Sequence, residues 1–261
     1  MDGLLKNLTD THAHLTFGEG VVEASLDALF EDGFGFVLDV GTESGDLAQR
    51  MRKTEAYSAV RYAAGVWPHK TEIGRVYENA AELCSQIENA PEGKVAAIGE
   101  CGFDLRENPQ RPNEETALLE MQLSLAQKYA LPVIIHSREE AERTIETLKR
   151  FPAVTGVIHC FSYSKKEARS FLDMGWYISF AGNLTFKSAV QLRETLPFVP
   201  ENRLLLETDC PFLAPEPYRG EPCLPKMIVE TYKLAAKLRG DSFEEIKNIV
   251  AHNAKALFKF I

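Results

Sequence analysis

Short apolar runs alternate with amphipathic stretches along the whole chain, and this regular alternation restricts the possible folds more than any other feature. Several runs, such as VAAIGE and LPVIIHS, are continuously apolar, as strands buried on both faces should be. The stretches between them have helical periodicity, and several end at Gly or run into Pro, which stop helices. The strand candidates are residues 8–14, 35–41, 60–66, 95–100, 131–137, 155–161, 176–182 and 203–209.

Eight strand–helix units in a chain of 261 residues predict an α/β fold of the (β/α)8 TIM-barrel type. A doubly wound open sheet is the alternative, because it uses the same alternation. No linker, low-complexity run or internal repeat divides the sequence, so we expect a single domain over residues 1–261. The last helix should begin after Ser242, an N-cap residue with Glu245 three positions later, and run to the end of the chain.

Charge and cysteine content limit the class of protein. The net charge is −9, from 29 basic and 38 acidic residues, which argues against a surface that coats nucleic acid. Five cysteines without a Cys-x-x-Cys motif argue against a disulfide framework or a zinc finger. The chain has no apolar run of about 20 residues and no signal-peptide pattern at MDGLLKNL. We therefore expect a cytoplasmic protein with no membrane association and no obligate protein partner.

Polar side chains stand where the apolar runs end. His12 and His14 are one residue apart in TDTHAHL, so both imidazoles should lie on one face of the first strand. The later runs end in the same way, at Glu100, His136, His159 and Asp209. The carboxyl ends of all barrel strands meet at one mouth, which carries the active site in this fold. We therefore expect these six side chains to converge there.

Four imidazoles and two carboxylates form a mixed nitrogen and oxygen set that suits zinc, manganese or magnesium. Six ligands are too many for one tetrahedral zinc, but they suit two divalent ions with a shared carboxylate. Glu100 is the expected bridge, because its strand lies between the first strand and the strands of His136 and His159. A single histidine at a strand end is usually structural, but six such polar side chains at the same ends of the strands together favour a metal centre.

The chain resembles the TatD family of metal-dependent deoxyribonucleases, within the amidohydrolase-type barrels. The resemblance rests on TDTHAHL, GECGFD, LPVIIHSRE, GVIHCFS, LLLETDCPFLAP and HNAKALF, which extend from Thr9 to Phe258. It implies that the same six residues hold two metal ions. It also implies hydrolysis of phosphodiester bonds by metal-activated water, with a 3′ to 5′ exonuclease as one form of that activity. The expected substrate is DNA, single-stranded or at a 3′ end, or a small phosphoester.

Catalytic roles follow from this ligand set. Asp209 should ligate one ion together with His12 and His14 and accept a proton as general base, while Glu100 bridges. His136 and His159 should hold the other ion. Substrate contacts are expected from Arg219 and Tyr218 after the eighth strand, from His69 after the third and from Arg106 near the bridge.

Four further residues carry weaker expectations. Asp10 shares a strand face with His12 and could orient a ligand, and Asp39 is a buried carboxylate in need of a partner. Phe161 and Tyr163, beside His159, could stack on a base, and packing in the core or at the rim explains them as well.

Two positions depart from the family pattern. Trp67 stands where family members commonly carry a histidine, and the loop after the eighth strand reads YRGEPCLP in place of a more basic sequence. Two alternatives to a nuclease therefore stay open. One is a metal-dependent hydrolase of small amides, esters or lactones, and the other is a non-catalytic protein that retains a structural metal.

Overall fold

Eight parallel strands form one sheet in which each strand pairs with the next one along the chain. A computed structural model describes residues 3–18 and 20–259. The strands are β1 (Thr9–Ala13), β2 (Phe36–Val40), β3 (Val60–Ala64), β4 (Val95–Asp104), β5 (Val133–Arg138), β6 (Gly156–Ile158), β7 (Tyr177–Phe180) and β8 (Leu204–Leu206). All eight lie within or overlap the predicted ranges.

The sheet closes through β1 and the segment that follows β8. Ala13 and Cys210 form a parallel bridge, and the His14 amide donates to the Cys210 carbonyl at 2.8 Å. The Asp209 amide donates to the His12 carbonyl at 2.9 Å. Sequential strand order with closure confirms the barrel and excludes the open, doubly wound sheet.

Asp10 fixes this seam from β1. Its Oδ2 accepts the Thr208 hydroxyl at 2.6 Å, and its Oδ1 accepts the amides of Thr208 at 3.0 Å and His12 at 3.2 Å. Burial raises the pKa of Asp10 to about 7 in spite of these bonds. Asp10 therefore positions the backbone of His12 rather than its ring.

Helices cover the outside of the barrel. Within the described residues they are α1 (Leu26–Glu31), α2 (Leu47–Thr54), α3 (Val76–Asn89), α4 (Pro112–Tyr129), α5 (Ala141–Lys149), α6 (Lys165–Asp173), α7 (Val190–Thr195), α8 (Ile228–Arg239) and α9 (Phe243–Phe258). The predicted cap of α9 is confirmed, because Ser242 Oγ accepts the Glu245 amide at 3.2 Å. Residues 260 and 261 of that predicted helix lie outside the described residues. Among the helices of residues 3–18 and 20–259, none combines the length and apolar character needed to cross a bilayer.

β4 differs from its prediction, because it continues beyond Glu100 and so places this residue inside the strand. The pairing of β4 with β5 shifts register between Ile98 and Cys101. Such irregularities re-aim side chains and are frequent beside active sites. A Cβ on Gly102 would lie 1.8 Å from the His136 carbonyl oxygen, so only glycine permits this approach. The result is that Glu100 and His136 lie next to each other.

Asp39 has the partner that the sequence did not reveal. Arg50 of α2 donates to Asp39 Oδ2 at 2.9 Å, to Asp46 Oδ1 at 2.9 Å and to the Ala63 carbonyl at 2.8 Å. The Leu15 amide donates to Asp39 Oδ1 at 2.9 Å. This network ties the β1–α1 loop, β2, β3 and α2 together beside the mouth of the barrel.

Candidate metal centre

The six side chains predicted as ligands gather at the mouth of the barrel, in two histidine pairs with a carboxylate between them. His12 Nε2 and His14 Nε2 are 3.2 Å apart. On the other side, His136 Nδ1 and His159 Nε2 are also 3.2 Å apart. The first pair lies at the end of β1, with His14 directly after the strand, and the second lies on β5 and directly after β6, as the strand-end pattern predicted.

Glu100 faces both pairs. Its Oε1 lies 3.5 Å from His14 Nε2, and its Oε2 lies 2.8 Å from His159 Nε2 and 3.4 Å from His136 Nδ1. Burial works to raise the pKa of Glu100, but the charge of His159 and contacts with both imidazoles hold it well below its usual range. An ionised carboxylate with one oxygen toward each pair has the arrangement of a bridging ligand.

Asp209 completes the set from the segment after β8. Its Oδ1 lies 3.5 Å from the Nε2 atoms of both His12 and His14. Its side chain is 13% exposed, compared with 6% for Glu100, so it is the more open of the two carboxylates. Asp209 can therefore contact both a bound group and an incoming substrate.

The spacing of these atoms fits metal ions. Two imidazole nitrogens that bind one ion at about 2.1 Å are separated by about 3.0–3.4 Å, and both histidine pairs have this separation. Glu100 Oε2 is buried and contacts the imidazoles of His159 and His136 without a hydrogen bond, so a further cation would satisfy it better than these contacts do. Two groups of three side chains, each with ligand atoms within 4.8 Å of one another, share this residue: His12, His14 and Glu100, and Glu100, His136 and His159.

The carboxylates favour positive charge in the cluster. Burial lowers the pKa of His14, but Asp209 and Glu100 outweigh it and raise the value to about 9. Burial also lowers the pKa of His159, but the Glu100 carboxylate outweighs this effect and raises the value well above its usual range. Burial dominates for His12, whose pKa falls well below the usual value, so this ring is neutral and free to act as a ligand.

Two acids hold the outer nitrogens of the second histidine pair. His136 Nε2 lies 3.1 Å from Asp104 Oδ2, and His159 Nδ1 lies 3.3 Å from Glu207 Oε1. Metal-binding histidines usually have such partners, which fix the ring and its tautomer. Glu207 was not among the residues predicted from the sequence; its signal is the spacing of two residues before Asp209 in LLLETD, which predicts a common strand face.

The first pair is held differently. His14 Nδ1 lies 2.9 Å from the Val40 carbonyl, whereas His12 Nδ1 is buried without a partner. The His12 ring instead stacks on His159, with centroids 4.0 Å apart and planes inclined by 12°. Glu207 also lies close enough to these two rings to form a third group of potential ligands.

The two arginines near β4 and β5 differ in their surroundings. Arg106, predicted to bind substrate, is exposed and donates to Glu139 at 2.6 Å. Arg138 is half exposed, and its guanidinium lies 3.7 Å from Asp104 Oδ2, the oxygen that holds His136. Arg138 was not among the residues predicted from the sequence, although its position two residues after His136 on β5 predicts the same face.

His69 lies at the edge of the barrel mouth, where the Trp67 ring contacts both His69 and His136. The Trp67 ring meets His136 edge-on at a centroid distance of 5.7 Å, and the His69 ring is 6.0 Å from Trp67. His69 Nε2 is also 3.5 Å from a Glu107 carboxylate oxygen. Trp67 thus packs against a candidate ligand.

Arg219 and Tyr218 lie on the loop after β8, as predicted. The Arg219 guanidinium is stacked over the Phe186 ring, 3.6 Å from its centroid. The Tyr218 amide donates to the Pro215 carbonyl at 2.7 Å. The Arg219–Phe186 contact ties the loop to the segment after β7, and the Tyr218–Pro215 bond forms a turn within the loop.

Comparisons with known proteins agree with this geometry. The family model for TatD related DNase matches residues 9–259. YabD of Bacillus subtilis strain 168, named an uncharacterized metal-dependent hydrolase, is 35% identical over 260 residues, covering 97% of this chain and 99% of YabD. A protein of Edwardsiella piscicida named 3′-5′ ssDNA/RNA exonuclease TatD is 33% identical over 267 residues, covering 97% and 99%.

A solved structure extends the comparison to the fold. The crystal structure of YjjV, a TatD homologue from Escherichia coli K12, has a TM-score of 0.88 and 30% sequence identity, covering 98% of this chain and all of YjjV. The predicted TatD-type barrel and metal-dependent hydrolase are thereby confirmed. This chain belongs to the TatD-related DNase family.

Proposed function

We propose that this protein removes nucleotides from the end of single-stranded DNA or RNA by hydrolysis of phosphodiester bonds. The observation that carries the proposal is the convergence of two imidazole pairs on the buried Glu100 carboxylate, whose Oε1 faces His14 and whose Oε2 faces His136 and His159. The relative from Edwardsiella piscicida supports the choice of substrate, because its name specifies these two nucleic acids.

The six clustered side chains would hold two divalent ions. His12, His14 and Asp209 would bind one ion, His136 and His159 the other, and Glu100 would bridge them. Four imidazole ligands favour zinc or manganese over magnesium, which prefers oxygen ligands. The ions would supply an activated water molecule and compensate the charge of the phosphoryl oxygens.

The protein's own residues supply the remaining steps. Asp209 is partly exposed and close to His12 and His14, so it accepts the proton of the attacking water as general base. Arg138, beside His136, is placed to bind a phosphate oxygen through its guanidinium. His69 lies further out, at the mouth, and can donate to a substrate oxygen.

The outer contacts of the histidines serve the same reaction. Asp104 and Glu207 hold the rings of His136 and His159 by their outer nitrogens and keep the inner nitrogens directed at Glu100. Pre-set orientation of this kind lowers the reorganisation needed when ions and substrate bind.

A panel of substrates tests the proposal. Single-stranded DNA, RNA and duplex DNA with labelled 3′ ends are incubated with Mg²⁺, Mn²⁺ or Zn²⁺, beside a set of small esters, amides and lactones. We expect metal-dependent release of nucleotides from single strands and none in excess chelator. Bound metal with no nucleotide release from any strand would contradict the proposal.

The altered loop after β8 keeps one alternative in view. The YRGEPCLP segment lacks the basic residues of the family pattern, and Arg219 is engaged with Phe186. Metal-dependent turnover of small esters, amides or lactones alone would assign the protein to that second class of hydrolase. Bound metal without turnover of any substrate would indicate a structural metal.

A further inference from the structure

Two phenylalanines are exposed together at the mouth of the barrel. Phe17, after β1, is 47% exposed, and Phe212, after β8, is 45% exposed. Their ring centroids are 5.4 Å apart, and the ring planes are inclined by 59°. Adjacent apolar rings left in water are unfavourable, and such a patch beside an active site usually marks a binding surface.

Both phenylalanines are hydrogen-bonded through their backbone amides to candidate ligands of the same ion. The Phe17 amide donates to the His14 carbonyl at 3.3 Å, and the Phe212 amide donates to the Asp209 carbonyl at 2.9 Å. The two ring centroids lie 6.1 Å and 6.0 Å from the His14 ring. A group stacked on the two phenylalanines would therefore be separated from the candidate metal centre by no more than the His14 side chain.

A pocket of about 190 Å³ opens beside Phe17 and has a mixed polar lining. His14 and Phe17 line one side, Thr42, Glu43 and Asp46 supply polar groups from the segment after β2, and Gln49 and Arg50 do so from α2. The two carboxylates in this wall oppose the entry of a phosphate, because the Arg50 guanidinium is already bonded to Asp39, Asp46 and the Ala63 carbonyl. They suit the edge of a nucleobase, whose exocyclic amino groups donate hydrogen bonds.

We propose that Phe17 and Phe212 form a stacking platform for the terminal base of a single strand whose phosphodiester lies over the metal centre. This inference rests on the proposed function and assigns its base-binding residues. Stacking uses the π-face that every base has, so the platform should tolerate all bases. In a duplex the terminal base is already paired and stacked, which favours single strands.

The aromatic residues singled out beside His159 do not compete for this role. Phe161 is 1% exposed and packs edge-on against Phe180, at a centroid distance of 5.9 Å. The Tyr163 hydroxyl is hydrogen-bonded with Ser137 at 2.8 Å. The simpler explanation, packing in the core or at the rim, is therefore confirmed for both.

The test compares two single-stranded oligonucleotides that differ only at the last residue, which is a normal nucleotide or an abasic one. The double variant Phe17→Ala/Phe212→Ala should lower kcat/KM for the normal end by about 5- to 150-fold. Its kcat/KM for the abasic end should equal that of the wild type. Phe212→Trp should retain activity on the normal end, because it keeps a stacking surface.

Two controls separate base contact from a structural effect. Tyr77→Ala removes another exposed aromatic side chain, 89% exposed on α3, and should change neither value. Metal content per chain should be the same in the double variant and the wild type. An equal loss on both oligonucleotides, or no loss on the normal end, would overturn the platform.

A binding measurement distinguishes this inference from the proposed reaction. A single strand with 2-aminopurine at its 3′ end loses fluorescence when that base stacks on an aromatic ring. We expect quenching by the wild type and by Tyr77→Ala, and none by the double variant. Quenching without cleavage would support the platform and contradict the proposed hydrolysis, whereas no quenching by the wild type would overturn the platform whatever the cleavage assay gives.

Discussion

Two buried charged clusters lie side by side at the mouth of the barrel, and they differ in how completely their polar atoms are bonded. Around Arg50, every guanidinium nitrogen donates to Asp39, Asp46 or the Ala63 carbonyl. Around Glu100, four imidazoles crowd a carboxylate whose Oε2 forms no hydrogen bond.

This difference distinguishes buried charges that stabilise the fold from buried charges that are available to bind a ligand. A buried ion pair with full hydrogen bonding holds elements together and leaves nothing to bind. A buried carboxylate oxygen that contacts several imidazoles without a hydrogen bond is better satisfied when a further cation binds between them. Buried carboxylates therefore serve packing in one cluster and candidate chemistry in the other.

The largest effect is expected from the Asp209→Asn substitution. It should lower turnover by about 10²- to 10⁴-fold, because the amide cannot accept the proton of the attacking water. The melting temperature should change little, since the side chain lies at the open edge of the centre. Steady-state kinetics at saturating metal measure this, and full metal-dependent turnover in the variant would show that Asp209 is not the base.

Arg50→Ala should produce the opposite pattern. It leaves Asp39 buried without its partner, so the free energy of unfolding should fall by about 3–5 kcal/mol. Turnover per folded molecule should be retained. Denaturant titration provides the value, and Arg52→Ala, an exposed position on the same helix, should stay within about 0.5 kcal/mol of the wild type. Equal stability of the two variants would contradict a structural role for the Arg50 network.

How far the sequence alone leads is clear from these same residues. Strand-end polarity predicted all six clustered side chains, because parallel strands in a barrel carry their carboxyl ends to one mouth. The position of Glu100 inside β4 was not predictable, since it depends on a register shift between β4 and β5 that no local pattern encodes.

Partners across elements were also beyond the sequence. The Asp39–Arg50 pair depends on how α2 packs against the sheet. The pairing of Asp104 with His136 and of Glu207 with His159 depends on how the two imidazole rings are oriented. Periodicity identifies which face a residue occupies, but not which neighbour it meets.

Glu207→Gln should have a smaller effect, confined to the metal centre. Loss of the charged partner of His159 Nδ1 should weaken metal binding by about 10- to 100-fold and leave folding intact. Competition with a chromophoric chelator measures the affinity. Asp104→Asn is the matched change at His136, and unchanged affinity in both variants would show that these acids do not support the ligands.

The smallest effect is expected for the arginines. Arg138→Ala should raise KM for single-stranded DNA by up to about 5-fold, with kcat nearly constant, since the guanidinium is half exposed and screened by solvent. Arg106→Ala should have less effect because Glu139 already neutralises that side chain. A larger change in Arg106→Ala than in Arg138→Ala would reverse the assignment of the phosphate contact.

Counting the ions at Glu100 tests the central claim most directly. Crystals or solutions of the wild type loaded with Mn²⁺ or Zn²⁺ are compared with Glu100→Gln, by anomalous diffraction and by elemental analysis of metal per chain. The account predicts two ions per chain in the wild type, one on each side of Glu100, and loss of the pair in the variant. A single ion in the wild type, or a pair that persists in Glu100→Gln, would contradict it.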